Sequence, residues 1–194
     1  MHHSVLKNVA LLVVAVMTFA AIDARADGAW APAEGASLVG TRAPAWEGLR
    51  WIHGGPLTLA GLRGHPVLVR FWTDGCHFCA SSAPALLEVH KKFAARGLVV
   101  VGVHHPKSDE SHDAALIERA AQKLGFTFPI ATDDEWKTVR AYGVGRVFNQ
   151  FTSVSVLIDA DGVIRWVHDG GTLDLASPAY RALTAEITRE LAPR

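Results

Sequence analysis

Two runs of consecutive apolar residues dominate the hydrophobic pattern of the chain. Residues 66–72 and 98–104 are nearly uninterrupted apolar stretches, and their length suits strands that are buried on both faces. Between them, residues 80–96 carry apolar side chains at near-helical spacing, and Gly97 ends this segment as a helix C-cap. The pattern predicts a strand–helix–strand unit with parallel strands, whose carboxyl ends lie at the same edge of a sheet.

The same periodicities predict the elements that follow. In chain order these are a helix at 109–124, a short strand at 126–130, a short helix at 134–142, strands at 154–158 and 163–167, and an amphipathic helix at 177–191. The turn Asp159-Ala160-Asp161-Gly162 joins the last two strands as an antiparallel hairpin. Ser177 is the predicted N-cap of the last helix, with Pro178 at its first position.

The pattern is less regular before the first core strand. Residues 46–52 and 57–62 flank a His-Gly-Gly-Pro turn, which predicts a short β-hairpin at the start of the domain. Residues 27–44 are rich in Ala, Gly and Pro without a lasting period, which is typical of an extended lead segment. We therefore expect one domain, at 45–194, preceded by this lead.

The first 26 residues have the layout of a secretory signal peptide. Lys7 precedes an apolar stretch at 9–22, and Ala24-Arg25-Ala26 supplies small residues at the spacing of a cleavage site. The apolar stretch is shorter than the ~20 residues that a membrane span needs, so cleavage after Ala26 is favoured over a permanent anchor. The mature chain would then work in the periplasm or another oxidising, exported compartment, with membrane contact only if this segment is retained.

The charge of the chain excludes some partners. Nineteen basic and nineteen acidic residues cancel. This balance offers no electrostatic reason to expect nucleic acid or an anionic membrane surface as a partner.

The candidate chemistry lies in the only two cysteines of the chain, Cys76 and Cys79, which follow the first core strand. A Cys-x-x-Cys loop that opens a helix can close a disulfide with little backbone movement. Its first sulfur faces the free N–H groups of the first helical turn, an arrangement that lowers a thiol pKa and makes a nucleophile. A structural disulfide usually closes a longer loop, and a structural zinc site requires four ligands. A redox dithiol is therefore the favoured interpretation, with Cys76 exposed and Cys79 deeper; no cofactor is predicted.

The order of these elements resembles the thioredoxin fold, and in particular the TlpA family of exported disulfide oxidoreductases. The matching segments are residues 62–69, Phe71-Trp72, 97–104 and 157–162. The resemblance implies an α/β thioredoxin fold, a central mixed β-sheet flanked by helices, with the N-terminal β-hairpin as an extension. It also implies that Cys76 attacks a disulfide of a client protein, that Cys79 resolves the mixed disulfide, and that a membrane electron donor recycles the pair.

The chain departs from the family pattern around the dithiol. His77 and Phe78 stand between the cysteines, where the family often has a proline in the second place, and His77 is positioned to place a titratable charge near the thiolate. Arg70 occupies the place of the buried acid of thioredoxin, six residues before Cys76. An arginine facing the dithiol would favour the thiolate, whereas one at the strand edge could reach the surface instead.

A third departure concerns the loop that contacts the substrate in this family. Ser153 stands six residues before Asp159, where thioredoxin-like proteins carry a cis-proline. The segment Thr152-Ser153 keeps the strand but loses the fixed φ of proline and gains hydroxyl groups. The choice of client therefore cannot be carried over from the family.

The sequence leaves open whether the dithiol reduces or oxidises its clients, and it allows two other functions. The resemblance implies a reductant, whereas His77 and Arg70 argue for an oxidant because they stabilise the reduced pair. Thr73 lies three residues before Cys76, as in the Thr-x-x-Cys of peroxiredoxins, which keeps a thiol peroxidase open. The non-enzymatic alternative is a copper-delivery protein that binds Cu(I) through soft thiolate and imidazole ligands. That metal site would consist of Cys76 and Cys79, completed by His77 or by His104.

Overall fold

The computed structural model of the protein describes residues 30–193, so the signal peptide expected at 1–26 lies outside the described residues. The strands are β1 (Arg50–His53), β2 (Val67–Trp72), β3 (Val99–His104), β4 (Ile130–Thr132), β5 (Ser155–Ile158) and β6 (Ile164–His168). The helices are α1 (His77–Phe93), α2 (Ala114–Lys123), α3 (Lys137–Ala141) and α4 (Pro178–Glu190). None of the helices in this part of the chain is long and apolar enough to cross a membrane.

The six strands form one mixed sheet in the order β1-β4-β3-β2-β5-β6. Strands β2, β3 and β4 are parallel to one another, while β5 is antiparallel to both β2 and β6. This arrangement confirms the α/β thioredoxin-like fold, including the strand–helix–strand unit and the final hairpin. The dithiol loop and the end of β3 consequently meet at one edge of the sheet.

The sheet separates two hydrophobic cores. On one face, Leu68 and Trp72 of β2 pack with the inner side chains of α1. On the other face, Val69 and Phe71 belong to a second buried cluster. Because side chains alternate between the faces of a strand, Arg70 lies on the same face as Leu68 and Trp72, beneath α1.

Helix caps set the observed helix boundaries. The Ser177 hydroxyl accepts a hydrogen bond from the backbone of Tyr180, which confirms the predicted N-cap of α4. Helix α2 begins at Ala114 rather than at 109, because the carboxylate of Asp113 caps it by accepting a hydrogen bond from Leu116 N at 3.0 Å. The preceding residues, 110–112, form a separate 3₁₀ turn.

The predicted N-terminal β-hairpin is wrong. Residues 54–66 contain no strand, and residues 59–64 form turns. Strand β1 instead pairs antiparallel with β4, with Trp51 opposite Ala131. Without β1, β4 would leave its backbone hydrogen-bonding groups open at the sheet edge, so β1 completes the sheet through a long-range pairing.

The described part of the lead segment, residues 30–44, is bound to the domain. The rings of Trp30 and His168 stack with their centroids 5.3 Å apart. The carboxylate of Glu34 accepts a hydrogen bond from the backbone of Asn149 at 2.8 Å, and Asp169 accepts one from Glu34 N at 3.2 Å. The lead is therefore joined to the loops that precede β5 and follow β6.

Candidate active site

Cys76 and Cys79 lie at the start of α1, directly beyond the carboxyl end of β2. Cys76 is the N-cap, and its Sγ accepts a hydrogen bond from Cys79 N at 3.2 Å. Cys76 is partly exposed, whereas Cys79 retains 1% of its surface. Both residues are free thiols, so the structure represents the reduced pair. The geometry places one accessible sulfur at a helix N-terminus and a second sulfur beneath it.

Arg70 lies beneath this dithiol and has no exposed surface. Its Nη1 donates a hydrogen bond to Ser155 Oγ at 3.1 Å, and its Nη2 donates one to Ser82 Oγ at 3.2 Å. Its Nε has no hydrogen-bond partner in the described chain. Burial lowers the pKa of Arg70, and negative charge on Cys79 and then on Cys76 opposes that shift. Of the two orientations that the sequence left open, the structure therefore has the one that faces the dithiol.

The resolving position is electrostatically constrained. Burial raises the pKa of the Cys79 thiol to about 11, while the positive charge of Arg70 and a hydrogen bond from the backbone of Thr73 oppose this rise. Cys79 is thus protonated in the resting dithiol at neutral pH. Cys79 can act as a nucleophile only after it loses its proton, so a group that stabilises its thiolate would assist the reaction.

Sequence reasoning missed the two serines that hold the guanidinium. Ser82 lies three residues after Cys79 on the inner face of α1, and it also accepts a hydrogen bond from Leu173 N at 2.9 Å. Ser155 lies opposite Arg70 in the β2–β5 pairing. A hydroxyl on the apolar face of a helix or within an apolar strand needs a buried hydrogen-bond partner. That requirement is the sequence feature from which the two serines could have been identified.

An aromatic pair lies next to the dithiol loop. Phe78, between the two cysteines, is 39% exposed. The Phe78 and Phe151 rings meet edge to face with 5.2 Å between centroids. His77 is exposed, and its ring contacts Phe78 at 5.8 Å. The surface around Cys76 therefore offers apolar contacts from α1 and from the loop before β5.

The loop that was expected to face the substrate is anchored by a histidine. Ser153 is buried, and the peptide bond before it is trans. Thr152 Oγ1 lies 2.8 Å from Nε2 of the buried His105, whose ring also contacts Trp136 with 4.7 Å between centroids. Burial lowers the pKa of His105 to about 3, so its ring is neutral at physiological pH.

A polar cluster forms around Asp74, two residues before Cys76. Asp74 Oδ1 accepts a hydrogen bond from Ser111 Oγ at 2.6 Å and lies 3.0 Å from Nε2 of the buried His104. The other ring nitrogen of His104 lies 3.1 Å from Thr132 Oγ1. Both nitrogens of this histidine are therefore engaged within the protein.

This cluster involves one of the two histidines of the copper hypothesis. That hypothesis completes the thiol pair with His77 or His104, and the ring nitrogens of His104 lie against Asp74 and Thr132 instead. Across residues 30–193, no group of three or more His, Cys, Asp and Glu side chains is arranged to hold a metal ion. The described residues therefore give no support to the copper hypothesis, which stays a prediction.

The fold, together with a Cys-x-x-Cys pair that opens α1, defines a thioredoxin-like protein. A family model described as the AhpC/TSA family matches residues 39–167, which is more than half of the chain. The chain belongs to the AhpC/TSA family.

Individual relatives place the chain more narrowly. The thiol-disulfide oxidoreductase ResA of Geobacillus thermodenitrificans is 30% identical over 137 residues, covering 70% of this chain and 71% of ResA. The crystal structure of a putative thiol:disulfide interchange protein DsbE from Chlorobium tepidum has a TM-score of 0.63 and 25% identity, covering 79% of this chain and 98% of that one. These likenesses confirm the resemblance to ResA- and TlpA-type proteins.

Some of the relatives are much longer than this chain. The protein DipZ of Mycobacterium bovis is 31% identical over 115 residues, which cover 59% of this chain and 16% of DipZ. The likeness to DipZ is thus confined to a small part of that protein.

Proposed function

We propose that the protein is an exported, periplasmic thiol-disulfide oxidoreductase that reduces disulfides of client proteins with Cys76 and Cys79. The observation that carries this proposal is the pairing of a partly exposed Cys76 Sγ at a helix N-terminus with the covered thiol of Cys79. The likeness to ResA, a thiol-disulfide oxidoreductase, and to DsbE, a putative thiol:disulfide interchange protein, supports the same reaction.

The reaction takes place in two exchange steps. The Cys76 thiolate attacks one sulfur of a client disulfide, the client S–S bond breaks, and the departing client sulfur takes up a proton. Cys79 then loses its proton and attacks Cys76 Sγ, which releases the second client sulfur as a thiol. Two electrons have passed to the client, and the protein is left with a Cys76–Cys79 disulfide.

Recycling follows from the proposed compartment. The signal-peptide pattern in residues 1–26 supports export, and an exported dithiol needs an external source of electrons to act as a reductant repeatedly. We assign that role to a membrane electron donor, as the resemblance to the TlpA family implies.

A pair of single substitutions tests the roles of the two cysteines. Cys79→Ser should trap a mixed disulfide between Cys76 and its client, because the resolving thiol is gone while the accessible nucleophile remains. Cys76→Ser is the matched control and should trap nothing. The measurement is non-reducing electrophoresis of the exported protein followed by identification of the attached chain.

Two results would overturn the proposal. One is equal trapping by the two variants, which would contradict the assignment of nucleophile and resolver. The other is the absence of any thiol-dependent complex with the Cys79→Ser variant, together with no reduction of protein disulfides by the purified dithiol.

The thiol peroxidase alternative is favoured by one observation, the match to the AhpC/TSA family model. Thr73 precedes Cys76 at the expected spacing, but its hydroxyl donates to Asp74 Oδ1 at 3.3 Å. Arg70 is fully buried and engaged with two serines, so it offers no open site to a peroxide. Turnover of hydrogen peroxide with a thiol reductant at a rate above that of disulfide exchange would favour the peroxidase.

A further inference from the structure

A buried cation lies under the dithiol without a carboxylate beside it. Within residues 30–193, the hydrogen-bond partners of Arg70 are the neutral hydroxyls of Ser82 and Ser155, and no ion pair joins it to an acid. Its Nε remains unpartnered. A guanidinium keeps its proton under all ordinary conditions, so this charge is a permanent feature of the site.

Such a charge is costly in a protein interior. Removing an ion from water carries a large desolvation penalty, and an opposite charge is the usual compensation. The groups of negative charge that interact electrostatically with Arg70 are Cys79 first and Cys76 second, while its other electrostatic neighbours, His105 and His168, are neutral at physiological pH. The thiolate of the catalytic pair is thus the anion that this cation faces.

We propose that Arg70 is a positioning residue for the resolving step, stabilising the negative charge that forms on Cys79 when it breaks the mixed disulfide. The inference rests on the proposed exchange reaction. Once Cys76 is bonded to a client, its sulfur carries no charge, and the buried Cys79 must release a proton to solvent before it attacks. The guanidinium lowers the cost of that ionisation through its charge.

The two serines fix the direction of this charge. Ser155 holds Nη1 from the sheet, and Ser82 holds Nη2 from the helix that carries Cys79. Because Ser82 also accepts the backbone N–H of Leu173, the guanidinium is tied to three segments of the chain. Arg70 therefore cannot turn toward solvent without leaving several buried polar groups unpaired.

Titration with the aromatic disulfide DTNB separates the two steps without a client. Cys76 attacks the reagent and releases one coloured thiolate, and Cys79 then displaces a second from the mixed disulfide. Arg70→Met should leave the first release within about twofold and slow the second. Each unit of pKa gained by Cys79 lowers its thiolate fraction tenfold but raises its nucleophilicity about threefold, so the net slowing is about threefold per unit.

Two charge-preserving variants serve as controls. Arg70→Lys keeps a positive charge, so its second DTNB release should be faster than that of Arg70→Met. Ser155→Ala keeps the guanidinium and removes one of its hydrogen-bond partners, so its second release should be slowed even less. In the Cys76→Ser background, the ultraviolet absorbance of the thiolate reports Cys79 alone, and Arg70→Met should raise its pKa by about one unit or more. Circular dichroism establishes that each variant is folded.

The outcomes are distinguishable. Equal second-phase rates in wild type and a folded Arg70→Met variant would overturn the inference, as would an unchanged Cys79 titration. If Arg70→Met does not fold, Arg70→Gln removes the charge in its place, and equal second-phase rates in wild type and a folded Arg70→Gln variant would overturn the inference as well. Normal two-step release combined with no exchange on any protein disulfide would instead refute the proposed function, while the role of Arg70 in resolution would stand.

Discussion

Gly170 packs against Phe151, one of the two aromatic rings beside the dithiol, and replacing this glycine tests that contact. Gly170 has φ +110°, and a Cβ added there would lie 2.2 Å from Phe151 Cβ and 2.9 Å from Cγ. Phe151 in turn forms the edge-to-face contact with Phe78. Gly170→Ala must therefore displace either the loop after β6 or the Phe151 side chain.

The expected loss of stability has two parts. A side chain in the left-handed region costs about 1–2 kcal/mol, and overpacking against a fixed neighbour costs about 1–3 kcal/mol. We therefore expect Gly170→Ala to lower the free energy of unfolding by about 2–5 kcal/mol. Gly64→Ala is the matched control, because Gly64 has φ +91° but open space where a Cβ would stand. It should show the backbone cost alone.

Urea denaturation of the reduced proteins measures both values, with the dithiol kept reduced throughout. The rate of the first DTNB release should remain unchanged in Gly170→Ala, while reduction of protein disulfides slows because Phe151 no longer supports Phe78. If the two glycine variants lose the same free energy, the contact with Phe151 is not tight. If protein-disulfide reduction is also unchanged, the aromatic pair plays no part in contact with clients.

Two further predictions concern pH. Burial raises the pKa of Asp159, but hydrogen bonds from Val163 N and Arg165 outweigh it and hold that pKa below its usual range. Asp159→Asn should therefore cost about 1–3 kcal/mol at neutral pH, and urea titrations should show this difference vanish as the pH falls through the lowered pKa. The pKa of His105 is also lowered, here by burial itself, from 6.5 to about 3, so the unfolded chain again binds the extra proton as the pH falls. The free energy of unfolding should fall by about 2 kcal/mol between pH 7 and 5 because of His105. In His105→Gln it should fall less over that interval. An equal pH dependence in the two proteins would refute this reasoning.

Local periodicity was sufficient for most of the fold. Strands β2 and β3 and the capped helix α4 are determined by residues close to one another in the chain. Their local sequence patterns are therefore enough to predict them. Strand β1 depends on β4, about eighty residues away, and the Gly-Gly-Pro turn that follows β1 is equally compatible with a hairpin. Sequence patterns carry little information about a partner at that separation.

The candidate site shows the same division. Cys-x-x-Cys after an apolar strand predicts the dithiol, because the chemistry and the helix start lie within four residues of one another. The orientation of the Arg70 side chain could not be predicted from a local motif. Every residue of β2 is buried, so apolar alternation does not distinguish its two faces, and the position beneath α1 becomes visible only from the packing of Leu68 and Trp72.

The buried charge also bears on the direction of electron flow. Cys79 is protonated in the resting dithiol, so Arg70 stabilises the reduced pair through the Cys76 thiolate, its second electrostatic partner, and to that extent makes the dithiol a weaker reductant than a pair over a buried acid. His105 and His168 add no charge at neutral pH, because burial, with a smaller contribution from Arg70, lowers their pKa values to about 3 and about 4.

A reductant of this kind needs a donor that is more strongly reducing than itself, and it can act only on client disulfides with higher potentials. Strained or exposed disulfides have such potentials, whereas stable structural disulfides do not. In the proposed reduction, the charge beneath the dithiol therefore favours labile client disulfides over stable structural ones.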